Sequence, residues 1–230
     1  MDERAGAPEN RSLTPGKLTV PTRRQASAQR GAMIESGRTV PHIGRDAVAR
    51  AAGAAARTAR DGGTRGRGNA QRDELLMITI FDGALRVSEA LRLRPCDIVE
   101  EEGHPRLRIL GKGKKHAVVS VSASLASRLK AYAYDAQIAP EGRFFPFTRA
   151  RAHQIIARAY KAAGVTKPGG VGTCHVLRHS GAIERLRETG NPRAVQEQLR
   201  HASANMTLRY LKTISAEEAL RIQDQVDFRW

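Results

Sequence analysis

The last quarter of the chain is a series of short helical segments with clear start and stop signals. Gly190 ends one segment, and Asn191 with Pro192 supplies the N-cap and the first helical position of the next. Ser215 and Glu218 form a capping box that begins the last segment. These signals restrict this part of the chain to packed helices joined by short turns.

Upstream of this series, the apolar pattern predicts two further helices. Ala and Val recur at helical intervals over residues 45–60. Residues 73–82 are apolar on so many sides that this second helix should be buried. Residues 62–68 are rich in Gly and Arg, and they predict a flexible basic loop between the two helices.

The next part of the chain has the alternation of a small sheet. Residues 105–110 and 116–121 read as a β-hairpin, and Ile98 with Val99 adds a third strand. The later helices are predicted at residues 124–137, 148–163, 175–189, 192–200, 204–212 and 216–226. The expected fold is mostly α with a small three-stranded antiparallel β-sheet.

Residues 1–39 differ from the rest of the chain in composition. They are rich in Pro, Gly, Ser, Arg and Gln and lack apolar periodicity, so they cannot bury enough surface to offset chain entropy. We therefore predict a basic, disordered N-terminal extension over residues 1–39. One domain is expected at residues 40–230, ending in a helix at 215–226.

The charge balance points to a polyanionic partner. Lys and Arg outnumber Asp and Glu by 39 to 23, a net charge of +16, and such a field favours nucleic acid. No apolar run is long enough to span a bilayer, and no signal-type stretch opens the chain, which predicts a cytoplasmic protein. Cys96 and Cys174 match no zinc spacing and are expected to be reduced thiols.

Five short segments stand out by the chemistry of their side chains. They are residues 83–90 (GALRVSEA), 110–115 (LGKGKK), 174–180 (CHVLRHS), 199–203 (LRHAS) and 207–211 (TLRYL). In this order and spacing they resemble the tyrosine recombinase (phage integrase) family over residues 40–230. The resemblance implies that family's catalytic-domain fold and DNA strand cleavage through a 3′-phosphotyrosyl intermediate, as in site-specific recombination and integration.

The resemblance also implies which cations would bind the scissile phosphate. Arg86 and Arg178 would each present a planar fork to two nonbridging oxygens. His175, one helical turn before Arg178, would donate a hydrogen bond or act as general base toward the tyrosine. His201 would donate to a nonbridging oxygen.

Tyr210 would be the nucleophile, because a cluster of Arg and His around a phenol favours the phenolate. Lys112 would be the general acid for the departing 5′ hydroxyl, with Lys114 and Lys115 as close competitors. Glu89 would orient the site or be a helix-surface charge. His179 would be a packing residue beside the site. The other tyrosines considered, predicted to pack within helices, are Tyr132, Tyr134 and Tyr160.

The expected chemistry needs no cofactor and no metal. Cys174 and His175 are adjacent but lack partners at zinc spacing. The Gly- and Lys-rich turn at residues 111–115 lacks the pattern of a P-loop, which argues against ATP binding.

The resemblance implies double-stranded DNA as partner and a four-subunit assembly on it. The helix at 215–226 is expected to dock on a neighbouring subunit, with folding back on its own core as the alternative. Family members usually carry a further DNA-clamping domain ahead of the catalytic one. We expect it to be missing, supplied by a second protein, or weakly replaced by the basic N-terminal extension. Two alternatives remain: a non-cleaving DNA-binding accessory protein, and relaxation of the type IB topoisomerase kind.

Overall fold

The computed structural model describes residues 39–60, 66–110, 116–201 and 203–225, which belong to a compact unit beginning at Thr39. All but the last residue of the predicted N-terminal extension lies outside these ranges. The elements follow in the order α1 (Arg45–Arg60), α2 (Gly66–Asp82), α3 (Val87–Ala90), a 3₁₀ turn (Pro95–Asp97), β1 (Ile98–Glu101), β2 (His104–Leu110), β3 (His116–Ser120), α4 (Ala123–Asp135), α5 (Arg149–Ala162), α6 (Thr173–Thr189), α7 (Pro192–Leu199), α8 (Ala204–Leu211) and α9 (Ala216–Gln223).

The three strands form one antiparallel sheet in the order β1-β2-β3. Leu107 lies opposite Val119 in the register, and both are buried together with Ile109. Arg108, between the two buried residues of β2, is exposed, as the two-residue period of a strand requires. The predicted mostly α fold with a small three-stranded antiparallel sheet is confirmed.

Helix α2 lies in the main hydrophobic core, as its apolar pattern predicts. Leu75, Leu76 and Ile80 have no exposed surface. Residues 62–65 of the predicted basic loop lie outside the described residues, and the prediction is wrong for residues 66–68, because the helix already begins at Gly66. Packing of α2 along α1 outweighs the low helix propensity of the glycines in its first turn.

Helices α2 and α6 approach each other closely at Gly181. A Cβ atom at Gly181 would lie 1.8 Å from the carbonyl oxygen of Phe81. Only glycine therefore allows the two backbones this distance. The contact positions the middle of α6 directly beside the end of α2.

Helices α6, α7 and α8 enclose a second, smaller apolar cluster. Gly190 ends α6 in the left-handed conformation, and Asn191 caps α7 by accepting from two backbone N–H groups, as predicted. The cluster consists of Ala84, Ala182, Ile183, Leu186, Val195, Leu199 and Tyr210. The turn after α2 thus meets the C-terminal helices at this cluster.

Helix α9 lies against α6 of its own chain. Arg187 on α6 is 3.1 Å from a carboxylate oxygen of Glu218, and Ile222 packs at Gly190. The predicted capping box of Ser215 and Glu218 is present. In this structure α9 therefore folds back on its own core, which was the alternative to the predicted docking on a neighbouring subunit. No described helix is both long and apolar enough to cross a membrane.

Candidate active site

Arg86 lies in the tight turn between α2 and α3. Its backbone N–H donates to Glu89 Oε2 at 2.8 Å, and its guanidinium donates to Glu89 Oε1 at 2.9 Å. The side chain nevertheless stays 44% exposed. A single carboxylate therefore orients both the backbone and the side chain of Arg86, and the other guanidinium N–H groups remain available to a ligand.

The Glu89 carboxylate is buried and faces three guanidinium groups. Besides Arg86, Arg200 Nη2 lies 2.6 Å from Oε2, and Arg178 Nη1 lies 3.8 Å from the same oxygen. Burial alone would raise the pKa of Glu89, but Arg200 and the hydrogen bonds from Arg86 outweigh it and hold the pKa below its usual value. Glu89 is thus a buried anion that gathers cations, and the helix-surface alternative is wrong.

Arg178 is buried, with 4% of its surface exposed. Its Nη1 donates to the Ala84 carbonyl, and its Nη2 donates to the Leu199 carbonyl at 2.9 Å. Ala84 has a φ of +47°, a rare backbone conformation for a residue other than glycine. Burial lowers the pKa of Arg178 to about 10, so the guanidinium is still protonated at neutral pH. Two donors are used within the protein, and only the remaining N–H groups are left for a phosphate.

His175 and His179 lie one turn apart on α6, with ring centroids separated by 6.3 Å. The sequence predicts His175 as hydrogen-bond donor or general base and His179 as a packing residue, but in the structure His179 is the ring that contacts the phenol. Nδ1 of His179 lies 2.7 Å from the hydroxyl of Tyr210, whereas His175 is exposed. The spacing puts both rings on one face of α6, but the position of α8 decides which ring meets the phenol.

Both histidines of α6 are held in the neutral form. Burial lowers the pKa of His179 to about 4, with His175 and Arg178 acting in the same direction. Desolvation by neighbouring side chains, and then the charge of Arg178, lowers the pKa of the more exposed His175. Neutral imidazoles next to guanidinium groups can accept protons once a negative charge arrives.

Tyr210 lies in the cluster between α6, α7 and α8, with 4% of its surface exposed. Burial raises the pKa of its phenol to about 12, although Arg178 and Arg86 act in the opposite direction. The surrounding arginines act in the expected direction, toward the phenolate, but desolvation outweighs them in this arrangement. In the structure Tyr210 is a neutral phenol.

His201 follows α7 and faces Tyr210, with ring centroids 6.1 Å apart. Its Nδ1 lies 3.0 Å from the hydroxyl of Thr207, which belongs to the same helix as Tyr210. Burial, followed by the charges of Arg178 and Arg86, lowers the pKa of His201 to about 4. The turn that carries His201 is therefore attached to the helix of the predicted nucleophile.

Lys112, Lys114 and Lys115 lie outside the described residues, so the general acid stays a prediction. The described strands on either side are β2, which ends at Leu110, and β3, which begins at His116. Among the other tyrosines, Tyr132 and Tyr160 are buried in the core, as predicted, but Tyr134 is 84% exposed. The prediction of a packing role for Tyr134 is wrong.

A basic cleft of about 290 Å³ opens beside Glu89 and the end of the hairpin. It is formed where the residues after α3 meet β2 and β3. Its cationic and ionisable lining side chains are Arg92, Arg94, Arg108, Arg143 and His116, with Asp97 and Glu89 as the acidic ones. A lining with this excess of cations is complementary to an anionic ligand.

The two cysteines are free, and Cys174 is buried. Burial raises the pKa of its thiol to about 12, so it is protonated at neutral pH. Within the described ranges, no three His, Cys, Asp or Glu side chains are arranged to hold a metal ion.

Two polar residues at the end of α7 contribute to this site and were not predicted. Gln198 donates to the carbonyls of Gly83 and Ser120, and it accepts from the Ser120 N–H, which joins β3 to the Arg86 turn. Arg200 binds Glu89. The sequence does indicate a role for Gln198, because its position falls on the apolar face of α7 and a buried amide there needs hydrogen-bond partners.

Similarity to known proteins identifies the class of protein to which this fold and site belong. The chain belongs to the phage integrase family, whose model matches residues 63–217. It is 34% identical over 152 residues to tyrosine recombinase XerC of Methylobacterium sp. (strain 4-46), which is 63% of this chain and 47% of that protein. Tyrosine recombinase XerA of Thermococcus kodakarensis is 31% identical over 159 residues, 67% of this chain and 55% of that protein. The chain spans about half the length of these curated relatives.

Solved structures agree with the assignment. The XerH site-specific recombinase bound to difH substrate is similar with a TM-score of 0.61 and 25% identity, over 76% of this chain and 51% of that one. The catalytic domain of bacteriophage HP1 integrase has a TM-score of 0.54 at 20% identity, over 81% of this chain and 96% of that one. The fold is that of a tyrosine recombinase catalytic domain.

Proposed function

We propose that this protein cleaves and rejoins DNA strands at specific sites, with Tyr210 as nucleophile and a covalent 3′-phosphotyrosyl intermediate. The observation that carries the proposal is the surroundings of the Tyr210 phenol. The hydroxyl lies against His179, the His201 ring faces it, and Arg178 and Arg86 act on its charge. Cleavage of a phosphodiester requires such cations for the phosphate oxygens and such acceptors for the proton of the nucleophile.

The proposed step balances as a phosphoryl transfer. The Tyr210 oxygen attacks phosphorus, the phenol proton passes to a histidine, and the bond from phosphorus to the 5′ oxygen breaks. That oxygen takes a proton, for which Lys112 is the proposed donor. One phosphodiester bond replaces another, so a 5′ hydroxyl of a second strand can reverse the step and reseal the DNA.

Arg86 is the best placed group for the scissile phosphate. Its guanidinium is partly exposed, while Glu89 holds it in one orientation. Arg178 is buried and contributes positive charge, and two of its donors are already hydrogen-bonded to backbone carbonyls. We assign His175, exposed one turn before Arg178, to a nonbridging oxygen. The base next to the phenol is then His179.

The described arrangement is a resting state of this site. Tyr210 is too buried to reach a phosphate, so α8 must shift before attack. A phosphodiester anion entering beside Arg86 would raise the pKa of His179 and His201 by its negative charge. Phosphate binding would therefore make the imidazoles better acceptors for the phenol proton at the moment it must leave.

Double-stranded DNA is the proposed substrate and partner. The net charge of +16 and the basic cleft support backbone binding that releases counterions. We propose a homo-tetramer on DNA, in which α9 leaves its own α6 for a neighbouring subunit.

Covalent trapping tests the proposal. The protein is incubated with nicked duplexes tiled across the DNA that flanks its gene, and a denaturing gel is examined for a protein–DNA adduct. A nick lets the short 5′-hydroxyl strand diffuse away, so the adduct accumulates. Tyr210→Phe should abolish the adduct and keep DNA affinity. Tyr134→Phe, a change at an exposed tyrosine, is the matched control and should leave the adduct unchanged.

Binding of DNA without cleavage is the second candidate function. The burial and raised pKa of Tyr210 favour it, since a binding protein has no need of an accessible phenol. It predicts salt-sensitive binding and no adduct on any duplex. It also predicts that Tyr210→Phe keeps the biological effect.

A further inference from the structure

Arg200 has an unusual backbone for its residue type. It follows α7 with φ +55° and ψ +46°, the left-handed conformation that favours glycine. A residue with a Cβ atom is strained there, because the left-handed conformation brings Cβ close to the following carbonyl oxygen. The arginine side chain is only 15% exposed, so it is not a surface charge that tolerates any backbone.

The guanidinium of Arg200 offsets this strain through two contacts. Nη2 donates to Glu89 Oε2 at 2.6 Å, and Nη1 donates to the carbonyl of Gln198 at 2.9 Å. The first contact joins residues 111 positions apart in the chain. It attaches the turn that carries His201 to the turn that carries Arg86.

The same contact affects Arg178. Both Glu89 oxygens are occupied, Oε1 by the guanidinium of Arg86 and Oε2 by Arg200 together with the Arg86 N–H. Arg178 Nη1 is therefore left at 3.8 Å from Oε2, beyond hydrogen-bond distance. Without Arg200, the carboxylate would attract Arg178 and turn its donors away from the phosphate.

We propose that Arg200 is a positioning residue for strand cleavage. It holds Glu89 so that Arg86 is aimed at the phosphate and Arg178 keeps its free donors, and it fixes the His201 turn beside Tyr210. The role rests on the proposed function, and it acts through Glu89 without contact to DNA.

Arg200→Gly is the variant that isolates this role. Glycine relieves the left-handed backbone, and this gain offsets part of the stability lost with the ion pair. Arg193→Ala on α7 is the matched control, because its ion pair with Glu197 joins two side chains that are 73% and 66% exposed. The probe is the nicked duplex that gives an adduct with the wild-type protein.

Two quantities separate positioning from DNA binding. At saturating duplex, Arg200→Gly should slow adduct formation about 10- to 100-fold, the size expected for slight misplacement of reacting groups. The duplex concentration that half-saturates the rate should stay within about twofold of wild type. The rate of adduct formation by Arg200→Lys should lie between those of the wild-type protein and Arg200→Gly, and Arg193→Ala should have the wild-type rate.

A third variant tests whether the effect passes through Glu89. If it does, Glu89→Gln and Glu89→Gln/Arg200→Gly should be equally slow. A wild-type rate in Arg200→Gly, a loss confined to DNA affinity, or fully additive effects would each overturn the proposal. If Arg200→Gly does not fold, Arg200→Lys decides, and a wild-type rate there overturns it. Failure of the wild-type protein itself to form an adduct would instead contradict the proposed function.

Discussion

The hydroxyl of Tyr210 and Nδ1 of His179 share a hydrogen bond of 2.7 Å. The bond joins α8 to α6 inside the apolar cluster and satisfies the one polar atom of a buried phenol. It also keeps the predicted nucleophile away from solvent. The same contact thus stabilises the fold and, under the proposed function, holds the phenol proton against the imidazole that accepts it.

A double-mutant cycle measures this bond. Tyr210→Phe should lower the free energy of unfolding by about 1 kcal/mol, and His179→Ala by about 1–3 kcal/mol, because each leaves a buried partner unpaired. The double variant should lose less than the sum, since the second change removes that unpaired group. Urea unfolding gives the values. His104→Ala, at an exposed histidine, is the control, and strictly additive losses would show that the bond contributes nothing.

Stability should fall as the solution is acidified. The pKa values of His179 and His201 in the fold are about 4, below the value of about 6.5 in the unfolded chain. The unfolded state then binds more protons between these values, so the contribution of each histidine is full above about pH 6.5 and is lost as the pH falls toward 4.

From about pH 7 to about pH 5, we expect the free energy of unfolding to drop on the order of 1 kcal/mol for each of the two histidines. Thermal melts across that range measure it. His179→Gln should flatten the pH dependence by roughly half. A melting temperature that does not change, or that rises on acidification, would contradict the buried neutral state of these rings.

Gly181 is required for the crossing of α2 and α6. Gly181→Ala places a methyl group against the Phe81 carbonyl, and the backbone rather than a flexible side chain has to move. The expected loss is about 3 kcal/mol of unfolding free energy, at the upper end for overpacking. Chemical unfolding compares it with Gly169→Ala, where a new Cβ meets no atom within 4 Å and little change is expected. Equal stabilities would mean that the helices cross less closely.

Glu89→Gln should be strongly destabilising. The buried Arg178 would lose its counter-charge, and removal of one partner from a buried ion pair costs about 3–5 kcal/mol. The control is Glu188→Gln, whose ion pair with Arg45 is mostly exposed and should contribute less than about 1 kcal/mol. Urea unfolding distinguishes the two variants. A small effect at Glu89 would show that the guanidinium groups do not depend on this carboxylate.

Local signals in the sequence predicted most of the helices and the sheet. Gly190, Asn191 and the Ser215 capping box act through neighbouring residues, so the helix ends they mark can be predicted without tertiary contacts. Helix α3 has only four residues, too few for a periodic pattern. The start of α2 at Gly66 depends on packing against α1, which local propensity does not contain.

The sequence predicted which residues form the site better than it predicted which of them contact each other. The spacing on α6 placed His175 and His179 on one face, but the choice between them depends on where α8 lies. The nearby arginines lower the pKa of Tyr210 as expected, but its net rise depends on how much water the surrounding helices exclude, which the sequence does not show. Arg200 carries no periodic signal, because its role follows from a left-handed backbone and from a carboxylate far away in sequence.

The central claim is that Tyr210 forms the bond to DNA, and peptide mapping of the trapped adduct tests it most directly. Trypsin cuts after Arg209 and Lys212, so nuclease and trypsin digestion should leave a nucleotide on the tripeptide Tyr210-Leu211-Lys212. Mass spectrometry should find a 3′-linked nucleotide on Tyr210 in the wild-type protein and no such peptide in Tyr210→Phe. A nucleotide on Tyr134 or on any other residue, with the Tyr210 peptide unmodified, would contradict the account.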